Sequence, residues 1–209
     1  PVAGLDIGLS NDVPCAPRMN FVDGKIYLKI GREYICRTAD KINPTAIKEE
    51  LEKLEHYIDS VRLANRGDKQ AQMALAEFIL ACINAPFEYR YMEERRKRFK
   101  RQKVGPRMTS YVGMAGNGKS YACRYVMRML TGQHIEALTS KYFTKSNVLA
   151  AARSGQCFPL IFDDLEKKRI NEWGKWGKLF WDQNYTNGNP YPQLLVTAND
   201  HVDNSGPLG

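Results

Sequence analysis

The stretch Gly113-Met114-Ala115-Gly116-Asn117-Gly118-Lys119-Ser120 fits G-x-x-x-x-G-K-[ST], the pattern of a glycine loop that cradles phosphate. Its flanks decide how it is read. Upstream, Met108-Thr109-Ser110-Tyr111-Val112 is a short β-rich run. Downstream, Ala122, Val126 and Met129 fall on one face of a helix that Gly132 stops. Strand, glycine loop, helix is the order in which such a loop works.

The residue types follow from the chemistry. Glycines let successive backbone N–H groups turn inward around a polyphosphate, an anion nest at the positive end of the next helix. Lys119 supplies a point charge to the β- and γ-phosphates, and Ser120 offers its hydroxyl to Mg²⁺. Gly113, Ala115, Gly116, Asn117, Gly118, Lys119, Ser120 and Tyr121 are therefore the candidate residues for ATP.

Two further stations lie downstream. The run Phe158-Pro159-Leu160-Ile161-Phe162-Asp163-Asp164-Leu165-Glu166 is apolar without alternation and ends in acids, as a strand buried on both faces of a parallel sheet does. At such a strand's carboxyl end Asp163 is placed to hold Mg²⁺. Asp164 is the candidate to polarise an attacking water, with Glu166 as the fallback base. Leu194 to Thr197 forms a second strand of this kind, after which Asn199 is placed to bridge the γ-phosphate and that water.

The rest of the chain carries less chemistry. Residues 1–42 hold a β-hairpin or meander built on the Asp23-Gly24 turn signal, read as the tail of a preceding domain. Residues 43–104 are expected to be helical. Asn43-Pro44 is a helix start, Ile47, Leu51, Leu54, Ile58 and Val61 form an apolar stripe, and Leu75, Phe78, Ile79 and Cys82 face inward on a second helix. Residues 105–209 hold the glycine loop and the acids. Pro1 and the tail from Asn204 to Gly209 read as the ends of a fragment, with the last domain cut short.

Composition bounds the partners. The net charge is +8, and between Glu88 and Arg107 nine Lys/Arg stand against three Glu. Aromatics interleave with these cations (Tyr89, Tyr91, Phe99), which suits single-stranded DNA or RNA as well as it suits a solvated helix face. Trp173, Trp176 and Trp181 read as packing or as a loop that tracks nucleic acid. The five cysteines are scattered with no C-x-x-C spacing, which points to a reducing, cytoplasmic or otherwise intracellular compartment and away from disulfides or zinc. No apolar run reaches the roughly 18 residues of a membrane helix.

Taken together, residues 105 to 200 resemble an AAA+-type P-loop ATPase, and Gly116-Asn117-Gly118-Lys119-Ser120 resembles the loop of superfamily 3 helicases and of viral and phage primase-helicases. In that family acids follow the second motif's strand and an Asn ends the third, as Asp163-Asp164 and Asn199 do. The resemblance implies an α/β three-layer sandwich with a parallel central sheet, the P-loop strand in its centre and the acid and Asn strands beside it. It also implies a homo-oligomer, such as a hexameric ring, that hydrolyses ATP to move or remodel nucleic acid. Asp164 stands where many members place Glu, and only Arg153 and Arg169 offer themselves as arginine fingers. A signalling or defence ATPase that oligomerises without translocating nucleic acid is the alternative. A small-molecule kinase ranks third, since the acid pair and the later Asn are not needed for it.

Overall fold

The computed structural model describes residues 17–30, 32–64, 69–98, 108–113, 118–186 and 190–199. Strands β1 (Arg18–Val22), β2 (Lys25–Ile30) and β3 (Glu33–Cys36) form an antiparallel meander. Its first turn needs two residues with positive φ, and Asp23 (48°) and Gly24 (73°) provide them.

Helix α1 (Pro44–Ala64) starts where the sequence says it should. The Asn43 side chain accepts the N–H groups of Thr45 and Ala46 at 3.1 and 3.3 Å, satisfying two orphan donors of the first turn. Only the second half of the α1 stripe is used: Val61 is buried and Leu54 and Ile58 partly so, while Ile47 and Leu51 are exposed. Helix α2 (Lys69–Asn84) runs back along it and buries Leu75, Phe78, Ile79 and Cys82. After a single turn at Ala85–Phe87, α3 (Glu88–Arg98) carries the first part of the basic segment.

The second sheet is parallel and four-stranded, made of β4 (Met108–Gly113), β5 (Leu138–Thr139), β6 (Leu160–Asp163) and β7 (Leu194–Asn199), in the order β4-β7-β6-β5. Helices α4 (Lys119–Thr131), α5 (Lys145–Arg153) and α6 (Lys167–Thr186) connect them. Alternate residues of each strand feed two cores. On one face Tyr111, Ile161 and Leu195 pack with α1, α2 and α4, and with Met19 and Leu28 of the meander. On the other, Leu160, Phe162, Leu194, Val196 and Ala198 pack with α5 and α6. Helices, sheet and helices make three layers, the α/β sandwich the glycine loop calls for.

Two expectations need correction. The strand that feeds the glycine loop is not central: among the described residues β4 pairs only with β7, and β7 stands between it and the acid-bearing β6. The strand expected from Gln133 to Leu138 shrinks to Leu138–Thr139, because Thr131 and Gln133 close the end of α4 with hydrogen bonds of their own. Of the two readings of the tryptophans, packing holds for Trp173 and Trp176, which lie on α6. Trp173 and Trp176 are buried in a T-shaped pair 4.8 Å apart, beside Phe143, and the side chain of Trp181 lies outside the described residues.

Candidate functional site

Parallel strands deliver their carboxyl ends to one edge of the sheet, where ligands bind in such folds. Here β4 ends at Gly113, β6 at Asp163 and β7 at Asn199, with Gly113 paired to Asn199 in register. The glycine loop and the acids are thus two strand positions apart, about 10 Å, and Asn199 stands between them.

Gly118 caps α4 in the left-handed conformation (φ 75°) and its carbonyl accepts the Ala122 N–H at 2.9 Å. A glycine adopts that φ without steric cost. Lys119 is buried, with its Nζ donating to the Gly113 carbonyl at 2.7 Å. A cation at that depth is stabilised further by an anion in the same space. Ser120 and Tyr121 follow in the first turn and are exposed. Met114, Ala115, Gly116 and Asn117 lie outside the described residues, so the tip of the loop is not part of this geometry.

The acids are held by β7. Thr197 is fully buried; its hydroxyl donates to Asp163 Oδ1 at 2.6 Å and accepts the Asp164 N–H at 2.9 Å. Its carbonyl takes the Leu165 N–H at 2.7 Å. Two residues on, and so on the same side of the strand, Asn199 Nδ2 donates to Asp164 Oδ1 at 2.8 Å. Asp164 has φ 53°, a left-handed conformation that Asp tolerates better than most residues but that still costs about 1 kcal/mol or more. The bonds from Thr197 and Asn199 hold it there. The Cys123 thiol, from α4, is fully buried; that burial, with the Asp163 charge adding to it, raises it well above the ordinary thiol range.

Gly118, Lys119, Ser120, Tyr121, Asp163, Asp164 and Asn199 line one cleft of about 400 Å³. Glu166 is not among these residues. Its N–H donates to Ser140 Oγ at 3.1 Å, and its carbonyl receives the N–H groups of Arg169 and Ile170 at the start of α6. Arg169 pairs with Glu172 at 3.0 Å, and neither it nor Arg153 lines the cleft.

A hydroxyl and a carboxylate are hard oxygen donors, the kind Mg²⁺ takes when substrate phosphates complete its shell. Among the described residues no three His, Cys, Asp or Glu gather as an all-protein metal site would require. The donor set fits Mg²⁺ carried in with a nucleotide.

Sequence reading missed Thr197, Ser140 and Cys123. For Thr197 a signal existed, since it stands two positions before Asn199 on a strand and must share its face. Ser140 and Cys123 act only through tertiary contact.

A family model described as the Aq_aa27 P-loop NTPase domain matches residues 25–202. Comparison with curated proteins and with solved structures gave no match.

Proposed function

This chain belongs to the Aq_aa27 P-loop NTPase domain family, and on that premise we propose that it binds and hydrolyses ATP with Mg²⁺. The observation that carries the reading is the single cleft shared by Lys119, Ser120, Asp163, Asp164 and Asn199, residues from three separate parts of the sequence.

In this reading the first turn of α4 and the Lys119 ammonium hold the β- and γ-phosphates. Ser120 Oγ and the Asp163 carboxylate would hold Mg²⁺, which when bound offsets charge on the phosphate oxygens. Asp163 reaches that role pre-oriented, because the Thr197 hydroxyl occupies its Oδ1. Asp164 Oδ1 is likewise occupied by Asn199, which leaves Oδ2 to accept the proton of a water. That water's oxygen bonds to the γ-phosphorus, the bond to the bridging β–γ oxygen breaks, and ADP and phosphate leave.

The finer role we propose is a ring-forming motor or loader acting on single-stranded nucleic acid, of the superfamily 3 kind. What supports it is the three-motif set together with exposed Lys97 and Arg98 on α3 and exposed Lys167, Lys168, Lys175 and Lys178 on α6. One observation favours the alternative of a nucleotide-switched ATPase that only oligomerises. Tyr89 and Met92 anchor α3 in the protein, and Arg90 and Lys97 pair with Glu93 and Glu94 on the same helix, as befits a docked linker. Phosphate release measured with and without single-stranded DNA or RNA separates the two. A motor is stimulated, and the stimulation fades steeply as salt rises.

A further inference from the structure

Tyr121 follows Ser120 directly and lines the cleft, yet it leaves 56% of its surface exposed. It is the one aromatic side chain among the described residues that line that space. Its ring is braced from the protein side: Tyr57 of α1 lies tilted against it with centroids 5.1 Å apart, and Tyr57 in turn packs on Tyr125 at 4.8 Å. Tyr125 stands one helical turn below Tyr121 on α4, and both it and Tyr57 are half-buried, so the three rings form a ledge that ends at the cleft in Tyr121. A large apolar ring held in place with an open side, next to a phosphate cradle, is a feature that packing alone does not require.

We propose that this ledge is the nucleobase subsite, with Tyr121 stacking on the aromatic base of a bound nucleoside triphosphate. The inference rests on the nucleotide reading above and adds to it how the base end is held. In the nucleotide reading the phosphates lie at the first turn of α4, and Tyr121 is the side chain of that turn with a π-face to offer. Stacking recognises the ring's face and needs no hydrogen bond to its edge.

The test compares Mg-ATP with Mg-tripolyphosphate, which has the charge but no base, by titration calorimetry on the whole chain. Tyr121→Ala is expected to weaken ATP about tenfold, within the usual range for losing one base–aromatic stack, and to leave tripolyphosphate unchanged. Tyr121→Phe, which keeps the ring, holds ATP as the wild type does. Equal loss of both ligands in Tyr121→Ala, or loss of neither, overturns the subsite. Failure of the wild type to bind either ligand overturns the nucleotide reading itself, and the ledge with it.

Discussion

Thr197 and Asp163 are joined by a 2.6 Å hydrogen bond in which the buried hydroxyl donates to the carboxylate. The Thr197 hydroxyl oxygen also accepts the Asp164 N–H, so one side chain sets the position of both acids. Thr197→Val keeps the volume and removes both bonds, leaving a backbone donor unsatisfied at a cost of about 1–3 kcal/mol. Turnover of ATP is expected to fall by tenfold or more while ATP affinity changes little, because the residues that grip phosphate lie on α4. Steady-state kinetics beside a binding titration checks this; equal loss in both would assign Thr197 to folding alone.

Asp164 and Glu166 compete for the role of base, and their placement separates them. Asp164 lines the cleft and Glu166 does not. Asp164→Asn should therefore retain nucleotide and lose hydrolysis by about a hundredfold or more, the usual range for a proton-transfer group. Glu166→Gln should stay within a few-fold of the wild type. The reverse ranking in a phosphate-release assay would move the base to Glu166.

Two glycines of α6 make opposite predictions. A Cβ on Gly177 would lie 2.6 Å from Cε2 of Trp173, and overpacking of that kind costs about 1–3 kcal/mol. Gly174 is exposed on the same helix, where Ala is favoured by up to about 1 kcal/mol. Thermal unfolding should show Gly177→Ala melting several degrees lower and Gly174→Ala unchanged or higher. A Gly177→Ala protein as stable as the wild type would mean that the Trp173 ring is not packed over that backbone.

Burial raises the thiols of Cys82, Cys123 and Cys157, that of Cys157 to about 12 from an ordinary 9.0. In the unfolded chain these groups ionise first, so above pH ~9 the folded state binds more protons and its stability falls as pH rises. Below that value the contribution is fully present. Urea midpoints are expected to drop between pH 8.5 and pH 10.5, as the unfolding free energy falls by an amount on the order of 1 kcal/mol for each thiol and pH unit. A midpoint that holds steady across that interval would contradict the burial of these side chains.

Much of this site was legible in the sequence because its signals are local. The glycine loop, its flanking strand and helix, and the apolar runs ending in Asp163 and Asn199 each carry a pattern that needs no tertiary information. The helix from Lys167 to Thr186 was not legible, since Gly174 and Gly177 oppose helix formation and only the packing of Ile170, Trp173 and Trp176 overrides them. Strand order was hidden for a similar reason: nothing local to β7 says that it inserts between β4 and β6. The α1 stripe shows the limit from the other side, as a periodic pattern marks an amphipathic helix but does not say that Ile47 and Leu51 will stay exposed.

The central claim, that this cleft turns over ATP, is tested most directly by phosphate release from Mg-ATP in the wild type and in Lys119→Ala. Steady release that is abolished in Lys119→Ala and stops when Mg²⁺ is chelated is the predicted result. Release that persists unchanged in Lys119→Ala, or a wild type that releases none, would contradict it.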